Sequence, residues 1–276
     1  MKPTETWFPL RAGEFRALTW GDGPETMLFL HGLTAMAEVW GPTVSHLPGG
    51  RRYVALDQRG HGRSPKPESG YGPSTYLRDA LEVIARIGGP VHIAGHSMGG
   101  RIALLLAARH PEALHSAAII DIGPEASRDN IRATVSAIAA RPERFTGREE
   151  AFAFAFRGRE TSDEDRRLFL ARLDETGDGS LTWRAPRHSL EQTVSSHRGQ
   201  SYWQDWRRIG TPALFIHGGA SKEVSLQVAE KTRTENPRVR FERYEGIGHN
   251  IPLLAPERLA VSLQGFWTSL PPEGMA

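Results

Sequence analysis

Short apolar runs alternate with helix-length amphipathic stretches along most of the chain, the pattern expected of βαβ units on a mostly parallel sheet. Buried strands are expected at Met27–Leu30, Tyr53–Leu56, Val91–Ala94, Ala117–Ile122, Ala213–His217 and Val239–Tyr244. Helices are expected at Thr75–Ile87, Met98–Arg109, Leu226–Thr234 and Pro256–Leu270, where apolar residues recur three or four apart and so share one face. Near the start, Phe15, Ala17 and Trp20 alternate before a Gly21-Asp22-Gly23-Pro24 turn, which predicts a hairpin feeding the Met27–Leu30 strand. The alternation breaks once, between Ile122 and Ala213. That stretch carries several helical patterns and no convincing buried strand, and its apolar periodicity marks it as a helical insertion between two strands, not a linker.

Composition narrows the class. A chain of 276 residues is long enough for one large α/β domain, or a core with an insertion, without covalent staples. With 34 Lys and Arg against 32 Asp and Glu, the formal charge of +2 is nearly neutral for this length and implies no nucleic-acid partner. The absence of cysteine excludes a disulfide framework, a thiol nucleophile, a Cys-based zinc site and an iron–sulfur cluster. The N-terminus lacks the apolar core of a secretory signal, and no later segment approaches the roughly 18 apolar residues of a membrane span. A soluble, cytoplasmic protein without a membrane partner is expected.

Three clusters carry chemistry. Gly95-His96-Ser97-Met98-Gly99-Gly100 lies directly after an apolar strand and directly before a helix, the context GxSxG requires. A strained strand-to-helix turn brings neighbouring backbone too close for side chains two residues either side of the serine, and Gly95 and Gly99 meet that need. The turn would lift the Ser97 hydroxyl above the sheet edge and leave the Met98 N–H to donate to a developing oxyanion; His96 and Gly100 read as residues that shape the elbow. The second cluster, His31-Gly32-Leu33-Thr34, ends an apolar strand and offers the Leu33 N–H as the other oxyanion donor. A histidine at a buried strand end, such as His31, more often holds loop backbone than works as a base. The third, Gly246-Ile247-Gly248-His249-Asn250, supplies a histidine on a late loop, after the serine as a Ser–acid–His chain order requires. His46, His110, His115, His188 and His197 fall in predicted helices or turns, where solvated or structural roles are the ordinary reading.

These residues resemble the α/β-hydrolase superfamily, in its branch of small cap-bearing esterases, lactonases and C–C bond hydrolases, from about Thr26 to the C-terminus. Asp57-Gln58-Arg59-Gly60-His61-Gly62-Arg63-Ser64 is similar to the family's DxRGxGxS turn, which is structural there, and Arg207-Arg208-Ile209-Gly210-Thr211-Pro212 looks like the segment leading back from cap to core. The resemblance implies an α/β-hydrolase fold, a mostly parallel central sheet flanked by helices, with residues 1–123 and 209–276 as core and 124–208 as a helical cap. It also implies nucleophile Ser97, base His249 and oxyanion donors Leu33 and Met98. The third triad member departs from the pattern. Most of the family carries an Asp after the next-to-last strand, where this chain has Ser221 within Gly218-Gly219-Ala220-Ser221-Lys222-Glu223-Val224. A serine supplies no negative charge to an imidazolium. Two carboxylates are available: Asp121, ending the strand after the nucleophile's helix, as in the haloalkane dehalogenases, and Glu223 on the later loop. Asp121 is preferred, with Glu223 as the alternative acid.

The expected protein is therefore a metal-free, cofactor-free serine hydrolase, carboxylesterase-like, acting on the ester or related acyl bond of a small molecule. A C–C or C–N bond hydrolase with the same residues is the alternative, and a non-catalytic ligand-binding protein on the same fold is a second. Ala151-Phe152-Ala153-Phe154-Ala155-Phe156 and Tyr202-Trp203-Gln204-Asp205-Trp206 are candidates for lining a pocket or for packing the cap onto the core. Arginines in the insertion are matched almost one for one by acids, so most should be solvated, with one available to clamp a substrate carboxylate. Asp174-Glu175-Thr176-Gly177-Asp178-Gly179 lacks the spaced ligands of a calcium loop and reads as a turn. Substrate-binding residues, natural substrate and oligomeric state are not legible at this level.

Overall fold

Thr26–Leu30 is buried at every position, the mark of a strand covered by helices on both faces. In the computed structural model, which describes residues 1–125, 128–196 and 200–270, this strand sits inside an eight-stranded sheet. The strands in chain order are β1 (Thr4–Leu10), β2 (Gly13–Trp20), β3 (Thr26–Leu30), β4 (Arg52–Leu56), β5 (Val91–His96), β6 (Leu114–Ile120), three short ones described below, then β10 (Ala213–Gly218) and β11 (Arg240–Tyr244). Their spatial order is β1-β2-β4-β3-β5-β6-β10-β11. From β4 to β11 every pairing is parallel, whereas β2 runs antiparallel to both β1 and β4. Each expected strand is present.

Successive β3 side chains face opposite layers. Leu28 and Leu30 join a core beneath the Pro73–Ile87 and Met98–Arg109 helices, and Met27 and Phe29 join a second with Trp40, Leu263 and Trp267. Expected helices are found within a few residues, at Pro73–Ile87, Met98–Arg109, Leu226–Glu235 and Pro256–Thr268.

Two expectations are corrected. The predicted hairpin does not form across Gly21–Pro24: β2 pairs back onto β1, which the pattern did not reveal, and β4 lies between β2 and β3. The segment after β2 is instead pressed against the Gly50–Arg51 backbone, where a Cβ at Gly23 would meet the Gly50 carbonyl oxygen at 2.1 Å. The insertion is also not wholly helical. Besides helices at Arg128–Ala139, Arg148–Phe156, Asp163–Leu170 and Arg187–Ser196 it folds β7 (Arg144–Phe145), β8 (Leu173–Glu175) and β9 (Leu181–Trp183) into a small antiparallel sheet. Strands of two or three residues carry too little periodicity to be read. The Asp174–Gly179 run is the β8–β9 turn, with Asp178 accepting from Thr176 and Ser180.

The insertion's last helix, Trp203–Arg208, packs with the main core: Tyr202, Trp203 and Trp206 join the layer over the Met98–Arg109 helix, and Trp206 is sealed against Phe215. Those aromatics pack and do not line the cavity described below. His197 and residues 271–276 lie outside the described residues.

The Asp57–Ser64 turn is held by buried charge. Asp57 accepts from Arg16 Nη1 at 3.0 Å and from the backbone N–H groups of Ala37 and Arg63. Arg59 makes a two-pronged pair with Asp79 at 2.7 and 2.8 Å. Removing one partner of such a pair strands the other in low dielectric. Asp79→Ala is therefore expected to lower unfolding free energy by about 3–5 kcal/mol in urea titrations; a loss below about 1 kcal/mol would show that Arg59 reaches solvent instead.

Candidate active site

The carboxyl ends of β3, β5, β6, β10 and β11 converge on one edge of the sheet, where open α/β sheets bind ligands. Ser97 stands there between β5 and the Met98–Arg109 helix with φ 53° and ψ −115°, a region that L-residues occupy only when surroundings enforce it. The enforcement is visible. A Cβ at Gly95 would meet the Gly99 carbonyl oxygen at 2.1 Å, and one at Gly99 would meet that of Leu30 at 2.2 Å. The elbow is pinned further by Ser97 N–H to Ile120 O at 2.9 Å and Gly99 N–H to His31 O at 3.1 Å.

His249, on the loop after β11, faces the serine across 3.1 Å from Nε2 to Oγ, while its Nδ1 lies 2.7 Å from Asp121 Oδ2. Asp121 directly follows β6, fully buried, at φ 48°, a left-handed conformation that Asp tolerates better than most residues. Its N–H is held by Ile216 O, and its Oδ1 accepts from Gly218 N–H at 2.8 Å. Ser221 donates to Asp121 Oδ2 at 2.5 Å, so the serine noted in the sequence is a hydrogen-bond donor to the Asp121 carboxylate. With the carboxylate accepting from Nδ1–H, the Nε2 lone pair is left facing Ser97.

Glu223 is not brought to the imidazole nitrogen. Its N–H donates to Ser221 Oγ at 3.1 Å, and its carboxyl lines the cavity, where burial raises its pKa. His96 donates from Nε2 to the His249 carbonyl oxygen at 2.8 Å and so fixes the loop bearing His249. That role was not foreseen.

Leu33 and Met98 both border the cavity beside Ser97, and neither N–H is taken by another described residue. Gly32 allows the loop to approach the elbow: a Cβ there would lie 2.9 Å from His96 Nδ1. His31 is structural, as expected. Its Nδ1 donates to Gly32 O at 2.8 Å and its Nε2 accepts from Gln58 N–H at 3.0 Å, while burial holds its pKa down to about 4.

Between the sheet edge and the insertion lies a cavity of about 950 Å³ bordered by Ser97 and His249. Phe154, Phe156 and Trp183 contribute aromatic wall, and Arg101, Arg141 and Arg172 contribute positive charge. Phe152 of the same Phe-Ala repeat is absent from that wall and packs against Phe156. Among the described residues no group of three His, Asp or Glu side chains is close enough to hold a metal ion, and no helix is long and apolar enough to cross a membrane.

A mostly parallel sheet with a serine elbow after β5, an acid after β6 and a histidine after β11 defines the class, and the chain belongs to the alpha/beta hydrolase fold family, whose profile matches residues 25–256. It is similar to a 2-(acetamidomethylene)succinate hydrolase of Mesorhizobium japonicum, at 29% identity over 89% of this chain and 88% of that one. It is also similar to an esterase of Mycobacterium tuberculosis, at 27% identity over 93% and 87% of the two chains. Among solved structures, an E-2-(acetamidomethylene)succinate hydrolase superposes with a TM-score of 0.88 at 25% identity, covering 97% of this chain and all of its own. These relatives are hydrolases.

Four buried histidines are expected to make the fold acid-sensitive. Burial, aided by like-charge neighbours, lowers His61 and His96 to about 3, and His31 and His92 to about 4, from an ordinary value near 6.5. The unfolded chain therefore takes up protons that the folded chain refuses between pH 6.5 and about 4, and stability falls as pH falls through that window. Each such histidine contributes about 1.4 kcal/mol per pH unit. Urea titrations from pH 7 to 4.5 should show this decline, shallower in His61→Gln by about one proton; a flat profile would mean these rings are hydrated.

Proposed function

We propose that the chain is a serine hydrolase that cleaves the carboxylic ester, or a related acyl bond, of a small molecule through an acyl-enzyme on Ser97. The observation that carries this is His249 bridging Ser97 Oγ at 3.1 Å and Asp121 at 2.7 Å on opposite ring nitrogens. In this mechanism the Ser97 oxygen attacks the carbonyl carbon as its proton passes to His249 Nε2. The Asp121 carboxylate keeps Nδ1–H in place and offsets the imidazolium charge. The N–H groups of Leu33 and Met98 receive the oxyanion. Collapse expels the leaving group, which takes the proton from His249; water activated by the same imidazole then releases the acid and restores Ser97. Residues 124–208 act as the cap that closes the cavity over the reacting bond. A C–N hydrolase is the second reading, favoured by the relative whose name carries an acetamido group.

Ser97→Ala should abolish turnover of p-nitrophenyl esters while preserving the fold, and a fluorophosphonate probe should label the native chain at Ser97 alone. Labelling at another residue, or a fully active mutant, would remove the mechanism. Rates on esters of graded chain length set beside lactones and amides choose between the two readings.

The two carboxylates separate in the same assay. Asp121→Asn should reduce kcat by up to about 10⁴, because the imidazole loses its orienting acceptor and its cation is unsupported. Glu223→Gln, which leaves the His249 contacts intact, should cost less than about tenfold. The reverse ranking would move the acid to the later loop.

A further inference from the structure

Two half-buried arginines in the cavity wall have no ion-pair partner among the described residues, whereas Arg157 and Arg159, which also border the cavity, are exposed to solvent. Arg172 follows the Asp163–Leu170 helix, is half-buried and borders the cavity; among the described residues its side chain has no ion pair and no hydrogen bond. Burial alone lowers its pKa. Arg141 lies flat on the Trp183 ring, 3.8 Å from its centre, and spends one nitrogen on Ala185 O at 3.3 Å. Its Nη1 is buried without a partner. Burial, then the charges of Arg172 and Arg187, lower its pKa to about 10.

Three other arginines are met by acids. Arg16 is met by Glu5, Glu38 and Asp57, Arg59 by Asp79, and Arg109 by Asp205. Arg101, in the same cavity, bonds Gly123 O and has Glu223 as the nearby acid. Two half-buried guanidinium groups near each other, one with a buried unpartnered nitrogen and neither with a carboxylate partner, oppose folding unless something else gains from them. They share a wall with Ser97, and Arg172 is near enough to His31, beneath the Gly32–Leu33 loop, to bear on its titration. The acids that border the same cavity are Glu223, near His249, and Asp165, which is taken up by Ser162.

We propose that Arg141 and Arg172 form a carboxylate-binding subsite, and that the compound cleaved at Ser97 is an acyl compound bearing a free carboxylate. The planar, permanently charged guanidinium matches a carboxylate in two-pronged geometry, and stacking on Trp183 holds Arg141 ready for it. Ligand charge would neutralise the pair only when substrate is present, which also selects against neutral esters. This assignment of substrate class rests on the hydrolase reading, but the anion site itself does not.

The test uses the full chain and titration calorimetry with succinate, glutarate and adipate, each beside its dimethyl ester. At least one dicarboxylate should bind tenfold or more tightly than its diester, and Arg172→Gln and Arg141→Gln should each weaken that binding by tenfold or more. Circular dichroism checks that the variants fold, and Arg172→Lys, which keeps the charge, should lose less than Arg172→Gln. In kinetics, the kcat/KM ratio of mono-4-nitrophenyl adipate to its methyl ester should fall at least tenfold in the Gln variants. Dicarboxylates binding no better than their diesters, or folded Gln variants binding like the native chain, would overturn the subsite. Arginine-dependent binding by a chain that a fluorophosphonate fails to label would uphold the subsite and remove the hydrolase reading instead.

Discussion

Everything at the site depends on backbone packed against backbone around Ser97. The Leu30 carbonyl, the Gly95 Cα and the Gly99 carbonyl approach so closely that a single methyl group at either glycine would overlap an oxygen by more than an ångström. That packing forces the serine into its unfavourable φ and ψ, and strain of about 1–3 kcal/mol is sustained because three neighbouring strands determine the turn. It also aligns the ends of β3, β5 and β6, so that the Leu33 loop, the Ser97 hydroxyl and the Asp121 carboxylate fall on one edge.

Around this contact lies a buried polar scaffold that substitutes for bulk packing where loops meet. His31 ties Gly32 to Gln58; Arg16 ties β2 to Asp57; His96 ties the elbow to the His249 loop. Each is nearly or fully enclosed, so each must be satisfied locally. Asp121 follows the same logic: it reaches His249 from the end of β6 and accepts from Gly218 N–H and Ser221 as well, so the buried carboxylate has three partners.

The insertion brings Arg141 and Arg172 to the cavity wall. Its small sheet carries Trp183, on which Arg141 lies, and the turn into β8 carries Arg172. A hydrophobic cluster of Phe145, Phe169, Leu173 and Leu181 holds that sheet together, so the two guanidinium groups are presented by a packed unit.

The sheet strands, the serine elbow, the late histidine and the Gly32 loop were legible in order because each follows from a local requirement: apolar runs for doubly covered strands, glycine where backbone crowds, a loop after the last strand. Even Asp121 was favoured from the vacancy at Ser221. Tertiary structure alone decided what depends on chain segments distant in sequence. The strand β1 and its pairing with β2, the three-stranded sheet of the insertion, and the carbonyl that His96 holds leave no periodic trace, since pairing partners are chosen by register and burial. Nor could the composition of the insertion single out Arg141 and Arg172 from its other arginines. A balanced charge count describes a surface, and only folding shows which cations border the cavity without an acid partner.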